Sequence, residues 1–425
     1  MIIRHIYILW GFIFLFIFCL SVQVSAGTNP VLVHNSEKSE AHSSIKAAIE
    51  AAEPFDTIRV PPAIYTEGNI MITKSLILIG HQYPVLDGEG KYEVFTIIAP
   101  HVTIKGFKIV NTGRSSMEDK AAIKCLDAHH VEIEDNILEN TFFGIHLSNT
   151  HYARISCNRL KSSAQHEYEF GNGIHLWKCN HARIEGNEIQ GHRDGIYLEF
   201  VIQSEMTENY SICNQRYGLH FMFSHNNRYF HNTFRQNGAG VAVMYTQQVV
   251  MKHNVFEDNW GSSSYGMLLK DIRDSEVSHN QFLRNTTGIY MEGSSRTQFH
   301  HNIFHRNGHA VKLMASCDDN VFTRNNFSGN TFDVSTNGIT VLNELKLNYW
   351  DKYEGYDMNR DGIGDIPYRP VSIFAMIVEQ VPPAVMLWRS FLVYLLDRAE
   401  KVIPAATPEN LKDDQPKMRP NVIHL

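Results

Sequence analysis

The sequence predicts an all-β chain wound into a right-handed parallel β-helix of about 22 residues per coil. It also predicts a helical cap at the N-terminal end and an amphipathic helical extension at the C-terminal end. Three observations carry this. One asparagine phrase recurs from about residue 130: EDNIL, SCNRL, EGNEI, FHNTF, KHNVF, SHNQF and HHNIF. A glycine phrase (GIHL, GIHL, GIYL, GLHF, GVAV, GMLL, GIYM) follows each asparagine, and its apolar residues alternate with a period of two, which is a strand signature.

The asparagines are Asn136, Asn158, Asn187, Asn209, Asn232, Asn254, Asn280, Asn302 and, less cleanly, Asn325, at steps of 22, 29, 22, 23, 22, 26, 22 and 23 residues. From each phrase glycine to the next asparagine the step is always 14, so the length variation falls at one corner. A repeat near 22 is one turn of a solenoid. Leucine-rich repeats have a similar period, but their regular LxxLxL and helical half are missing. At about 3.3 Å per residue, such a coil runs roughly 70 Å and holds three short strands and three turns. Stacked coils turn each repeat position into a column. One column holds the asparagines, whose amides can satisfy turn backbone above and below. Phe234, Phe256, Phe282, Phe304 and Phe327 form an inner aromatic ladder, and Asn237, Asn259, Asn285, Asn307 and Asn330 mark a second turn.

An open solenoid end exposes unpaired strand edges and needs covering. SIKAAIEAA at 44–52 is an amphipathic helix placed to do this, and TIRV, SLILIG and VTIKGFKI are early strands. The chain divides into a signal peptide (1–26), a β-helix (27–347), an Asp/Gly-rich capping loop (348–369) and a helical docking segment (370–425). The signal reading rests on Arg4, the apolar run from Ile6 to Leu20 and the small residues VSA at 24–26; a retained anchor is the alternative, and both export the body. Five cysteines remain after the signal, far apart and without CxxC spacing, so no disulfide framework is expected. A formal charge of −7 argues against nucleic-acid binding.

DMNRDGIGD at 357–365 places Asp357, Asn359, Asp361 and Asp365 at calcium-loop positions 1, 3, 5 and 9, with Gly362 at 6. Tyr368 stands where a bidentate glutamate belongs, so the two readings are a bound calcium and a turn knitted by its own side chains. Residues 371–403 read as two amphipathic segments broken at Pro382-Pro383. The second, AVMLWRSFLVYLLDRAEKVI, is apolar on one side and suits a helix docking on a membrane partner.

FDTIRVPPAIY, NYWD followed by DGIGDIPYRPVS, and the tail TPENL…PKMRP together resemble the NosD family, which matures nitrous oxide reductase; the likeness covers essentially the whole mature chain. It implies a periplasmic, copper-handling protein without catalytic activity. It also implies partners: the permease of an ABC transporter, a lipoprotein copper chaperone, and nitrous oxide reductase with its copper–sulfur centre. The repeats alone point only to the wider class of carbohydrate-binding and sugar-hydrolase β-helices.

Copper(I) prefers thioether, thiolate and imidazole ligands. The first-choice site is Met222 and Met244, on successive coils, with His220 two residues before Met222 and His146 and His175 further along its column. The second choice is the column His231, His253, His279 and His301, for which a turn requirement is the rival explanation. Met267 and Met291 are inward and read as core. A polysaccharide-active enzyme would need paired carboxylates on one face, but Asp194, Glu199 and Glu292 are scattered. A metal-free scaffold bridging transporter and client is the third reading. The insertions 161–172 and 261–265 share a corner, and that side is expected to face a partner.

Overall fold

The structure is a computed structural model. It describes residues 30–424 apart from 35–38, 116, 164–165, 167–168, 339–341 and 403–407; the signal segment lies outside the described residues. The chain is a parallel β-helix. Each coil runs through sheet A, turns at the repeat asparagine into sheet B, crosses a corner into sheet C, and turns back to sheet A. Among the described residues the three sheets hold 15, 13 and 12 strands. The insertions 161–172 and 261–265 both fall at the corner from B to C.

The asparagine ladder is continuous. Each backbone N–H and side-chain Nδ2 donates to the Oδ1 of the next asparagine, as from Asn232 to Asn254 at 3.0 Å for both. Nδ2 also donates to a strand carbonyl one coil back, as to Met206 at 2.9 Å. The corner thereby satisfies buried backbone that no strand reaches. A second ladder runs from Asn214 to Asn330. A third, from Thr297 through Asn320 to Asn343, lies at the turn from C to A. Inside, Phe256, Phe282, Phe304 and Phe327 stack at 4.7–4.8 Å and end on Trp350 at 4.1 Å. Met267 and Met291 are core. The phrase glycine is required by close approach: a Cβ on Gly218 would lie 2.6 Å from the Gly240 carbonyl and 2.8 Å from the inner Phe234 ring.

The N-terminal end is covered by α1 (Ile45–Ala51), whose Ile45, Ala48 and Ile49 are buried. Ser44 caps it by accepting from Ala47 N–H at 3.1 Å, and Lys74 Nζ donates to the carbonyls at its other end. An antiparallel hairpin, Val31–His34 with Ser39–His42, lies along the first sheet A strand and blocks that edge as well.

At the far end, Tyr349–Trp350 is the last strand of sheet B. The loop 357–365 is knitted by its own side chains. Asp357 accepts from Asp361 N–H (3.2 Å) and Gly362 N–H (2.8 Å), Asn359 from Asp361 N–H, Asp361 from Ile363 N–H, and Asp365 from Met358 N–H. The tail then returns: Asp413 and Lys417 pair with Leu345 and Tyr349. Asp413, fully buried, takes the place of a further asparagine. Its Oδ2 accepts from Asn348 N–H and Nδ2 (3.0 Å each) and from Trp350 Nε1 (3.1 Å).

The helical segment differs from the expected pair of helices. α2 (Ile373–Gln380) is followed by a 3-10 turn, Pro382–Leu387, and α3 starts only at Phe391 and runs to Val402. Ser390 accepts from Val393 N–H as a helix cap, and Arg389 before it takes φ 66°, so one long second helix is ruled out. Phe374, Ala375, Val378 and Val393 pack on Phe332 at the end of sheet C, and Lys312 pairs with Glu379 at 2.8 Å. No helix among the described residues is long and apolar enough to cross a membrane.

Candidate metal centre

The outer face of sheet C carries the first-choice residues Met222 and Met244. Strand register sets one column as Lys124, His146, His175, Tyr197, His220 and Ala242. Two residues on, a parallel column reads Ser148, Trp177, Glu199, Met222, Met244 and Lys270. Met222 and Met244 are therefore direct neighbours, both half-buried. The Tyr197 hydroxyl donates to Met222 Sδ at 3.6 Å.

His220 points outward by register yet is 5% exposed, because the Tyr197 and Tyr217 rings close over it at 4.8 Å each. Its Nδ1 lies 3.4 Å from Asp194 Oδ2, and its Nε2 has no partner. Tyr197 also separates His220 from His175, so the histidine column is interrupted. On the other side of Tyr197, His146 and His175 are adjacent with ring centroids 4.7 Å apart. Burial lowers the pKa of both and holds the imidazoles neutral, the form that binds metals.

This face holds a run of buried polar atoms without partners: His146 Nδ1, both nitrogens of His175, both amide atoms of Asn172, Asp194 Oδ1 and His220 Nε2. Such atoms ordinarily mark bound water or an ion. Asp119, from the segment before the Ala121–Leu126 strand, joins His146 and His175, and one ligand atom from each lies within 4.8 Å of the others. Among the described residues no other three His, Cys, Asp or Glu side chains converge in this way. Sequence reasoning passed over Asp119, since it lies at the variable corner outside any column.

The second-choice column has another geometry. His231, His253, His279 and His301 all take left-handed φ of 53–56° at the turn before the asparagine. Their rings stack at 4.9–5.0 Å with interplanar angles of 8–27°. Near-parallel rings direct their lone pairs side by side rather than toward one point. His300 Nδ1 reaches His301 Nδ1 at 3.0 Å, while its Nε2 meets Glu276 at 2.9 Å. Burial and the neighbouring imidazoles push His279 down to about 4. In the loop 357–365 the four oxygen side chains are turned onto backbone N–H groups instead of a common centre. Of the five free cysteines, Cys125, Cys179 and Cys317 are buried and Cys157 and Cys213 exposed; burial pushes the Cys179 thiol up to about 12.

The family model described as periplasmic copper-binding protein NosD matches residues 156–359. A Pseudomonas aeruginosa protein named as a probable ABC transporter binding protein NosD is 28% identical over 371 residues, covering 83% of this chain and 86% of that one. A Stutzerimonas stutzeri protein of the same name is 25% identical over 416 residues, covering 93% and 94%. Among solved structures, the catalytic domain of a GH87 alpha-1,3-glucanase (TM-score 0.56, 11% identity) covers 68% of this chain and 61% of its own. The periplasmic alginate epimerase AlgG (TM-score 0.50, 11% identity) covers 70% and 86%. These two share the β-helix alone. The family model covers the central and later coils and ends at residue 359, the two relatives extend the likeness over most of the chain, and this chain is similar to the NosD family, described as periplasmic copper-binding proteins.

Proposed function

We propose that the chain is a non-catalytic copper-handling accessory protein of the periplasm. It docks on the permease of an ABC transporter, takes copper(I) from a lipoprotein chaperone, and serves assembly of the copper–sulfur centre of nitrous oxide reductase. The observation that carries this reading is the Met222–Met244 pair, in register on adjacent coils at the surface, with His220 on the same strand. Thioethers bind copper(I) as soft ligands and, being neutral, release it to a stronger set. The two relatives' names support a transporter partner. The docking element is the helical segment: Met386 is 86% exposed and Phe391 74%, with Leu392 and Leu395 beside them, more apolar surface than an end cover needs. The calcium reading of Asp357, Asn359, Asp361 and Asp365 gives way to a structural turn.

A sugar-active reading fits this face less well. Asp194 is 1% exposed beneath the surface, and Glu199 and Glu292 stand four coils apart in their column, too far to act on one glycosidic bond.

The test is an anaerobic copper(I) titration of the purified mature chain against a competing chelator. About one copper is expected, and Met222→Ala/Met244→Ala weakens it at least tenfold, about 1.4 kcal/mol. Full retention by the double variant would move the site to imidazole or thiol ligands. No binding by the wild type would favour a scaffold or a site completed by a partner.

A further inference from the structure

The geometry points to a second metal site on sheet C, distinct from the thioether pair: Asp119, His146 and His175 form a centre for a divalent borderline metal ion, zinc(II) or copper(II). It does not depend on copper(I) being the cargo of the methionine pair.

Three observations converge on it. The ligand atoms of the three residues already lie within 4.8 Å of one another, so small side-chain rotations bring them to about 2.0–2.2 Å from a common ion. The imidazoles cannot satisfy themselves. His146 is 8% exposed and its Nδ1 has no partner, and neither nitrogen of His175 has one. The Phe143 ring sits 5.7 Å from both, which limits how far they can turn toward water. Buried imidazole nitrogens without partners cost free energy unless something fills the space beside them. A cleft of about 350 Å³ adjoins the three residues: it is lined by Glu118 and Lys120, which flank Asp119 in the chain, and by Lys124, which pairs with His146 in the strand register. Lys124, the next residue up the column, pairs with Glu93 at 3.1 Å.

The donor set decides the metal class. Two imidazoles and a carboxylate are borderline and hard ligands, which suit zinc(II) and copper(II), and the hard carboxylate makes the set a weaker match for copper(I) than the thioethers Met222 and Met244. The Tyr197 coil lies between the two sets, so they form separate sites on one face. Three protein ligands leave a coordination position open, as in a site that exchanges its ion or completes it with a partner.

The experiment titrates the purified mature chain with zinc(II) chloride against a chromophoric chelator, and in parallel with copper(II), read by electron paramagnetic resonance. The expected result is one equivalent of zinc(II), and a copper(II) signal with nitrogen hyperfine structure. His175→Gln and Asp119→Asn should each weaken zinc(II) at least tenfold, while Met222→Ala/Met244→Ala keeps it. Asp119 is exposed on a connecting segment, so its variant remains informative if His175→Gln fails to fold. Wild-type zinc(II) affinity in Asp119→Asn together with His175→Gln, or no binding by the wild type, overturns the site. Zinc(II) loss in the methionine variant overturns the separation of the two sites. Failure of copper(I) binding alone leaves the zinc(II) result standing and counts only against the copper(I) proposal.

Discussion

Two of the histidine columns along this solenoid, the one before the repeat asparagine and the one on sheet C, differ in build. At the turn from sheet A to sheet B, His231, His253, His279 and His301 recur at one backbone position, take the same left-handed conformation and stack face to face. On sheet C, His146, His175 and His220 share a column with a lysine, a tyrosine and an alanine; their rings are tilted and each has at least one buried ring nitrogen without a partner. The tidy column sits at a left-handed position of the turn that Asp135, Cys157, Gly186 and Glu208 occupy in other coils. The untidy one is where chemistry is proposed. In a stacked repeat, regularity reports what the backbone needs, and the breaks in regularity report what the surface does.

The contrast can be tested by substitution. Changes in repeated columns should act on stability and leave metals alone. Phe282→Ala removes a ring stacked at 4.8 Å on both neighbours and should cost about 3–5 kcal/mol by denaturant unfolding. A cost below about 1 kcal/mol would mean the aromatic ladder is not the core. Asn254→Ala leaves the Asn232 N–H and Nδ2 without their acceptor and should cost about 1–3 kcal/mol. Smallest is His253→Asn/His279→Asn, since asparagine tolerates the left-handed turn: stability should move by no more than about 0.5 kcal/mol and metal affinity not at all. A loss of copper from this double variant would make the tidy column functional and dissolve the contrast.

Much of the fold was legible because stacking writes itself into sequence as a period. The coil, the two asparagine ladders, the phenylalanine ladder and α1 all follow from recurrence or alternation. The hairpin Val31–His42 was not legible, since two short antiparallel strands leave no period. Nor was the third ladder, where serine and threonine share the role with asparagine. The break before α3 was hidden by apolar residues that continue on both sides of Arg389. For the candidate site, register from the glycine phrase correctly paired Met222 with Met244. It did not reveal that tyrosines bury His220, because side-chain closure depends on ring size rather than spacing. Asp119 was out of reach for the opposite reason: its corner is where coil length varies, so no column predicts its neighbours.

The carboxylate of Asp413 gives the asparagine ladder a direction. Every asparagine accepts from the previous coil and donates to the next, so the chain of amides passes hydrogen bonds one way from Phe107 toward the C-terminal end. An asparagine at the last place would still offer an N–H, an invitation to another coil from the same molecule or from a neighbour. A carboxylate accepts and, when ionised, has nothing to hand on. Asp413 thus works as a chain terminator: its carboxylate takes the last asparagine's two hydrogen bonds and that of the Trp350 indole, and the relay stops there.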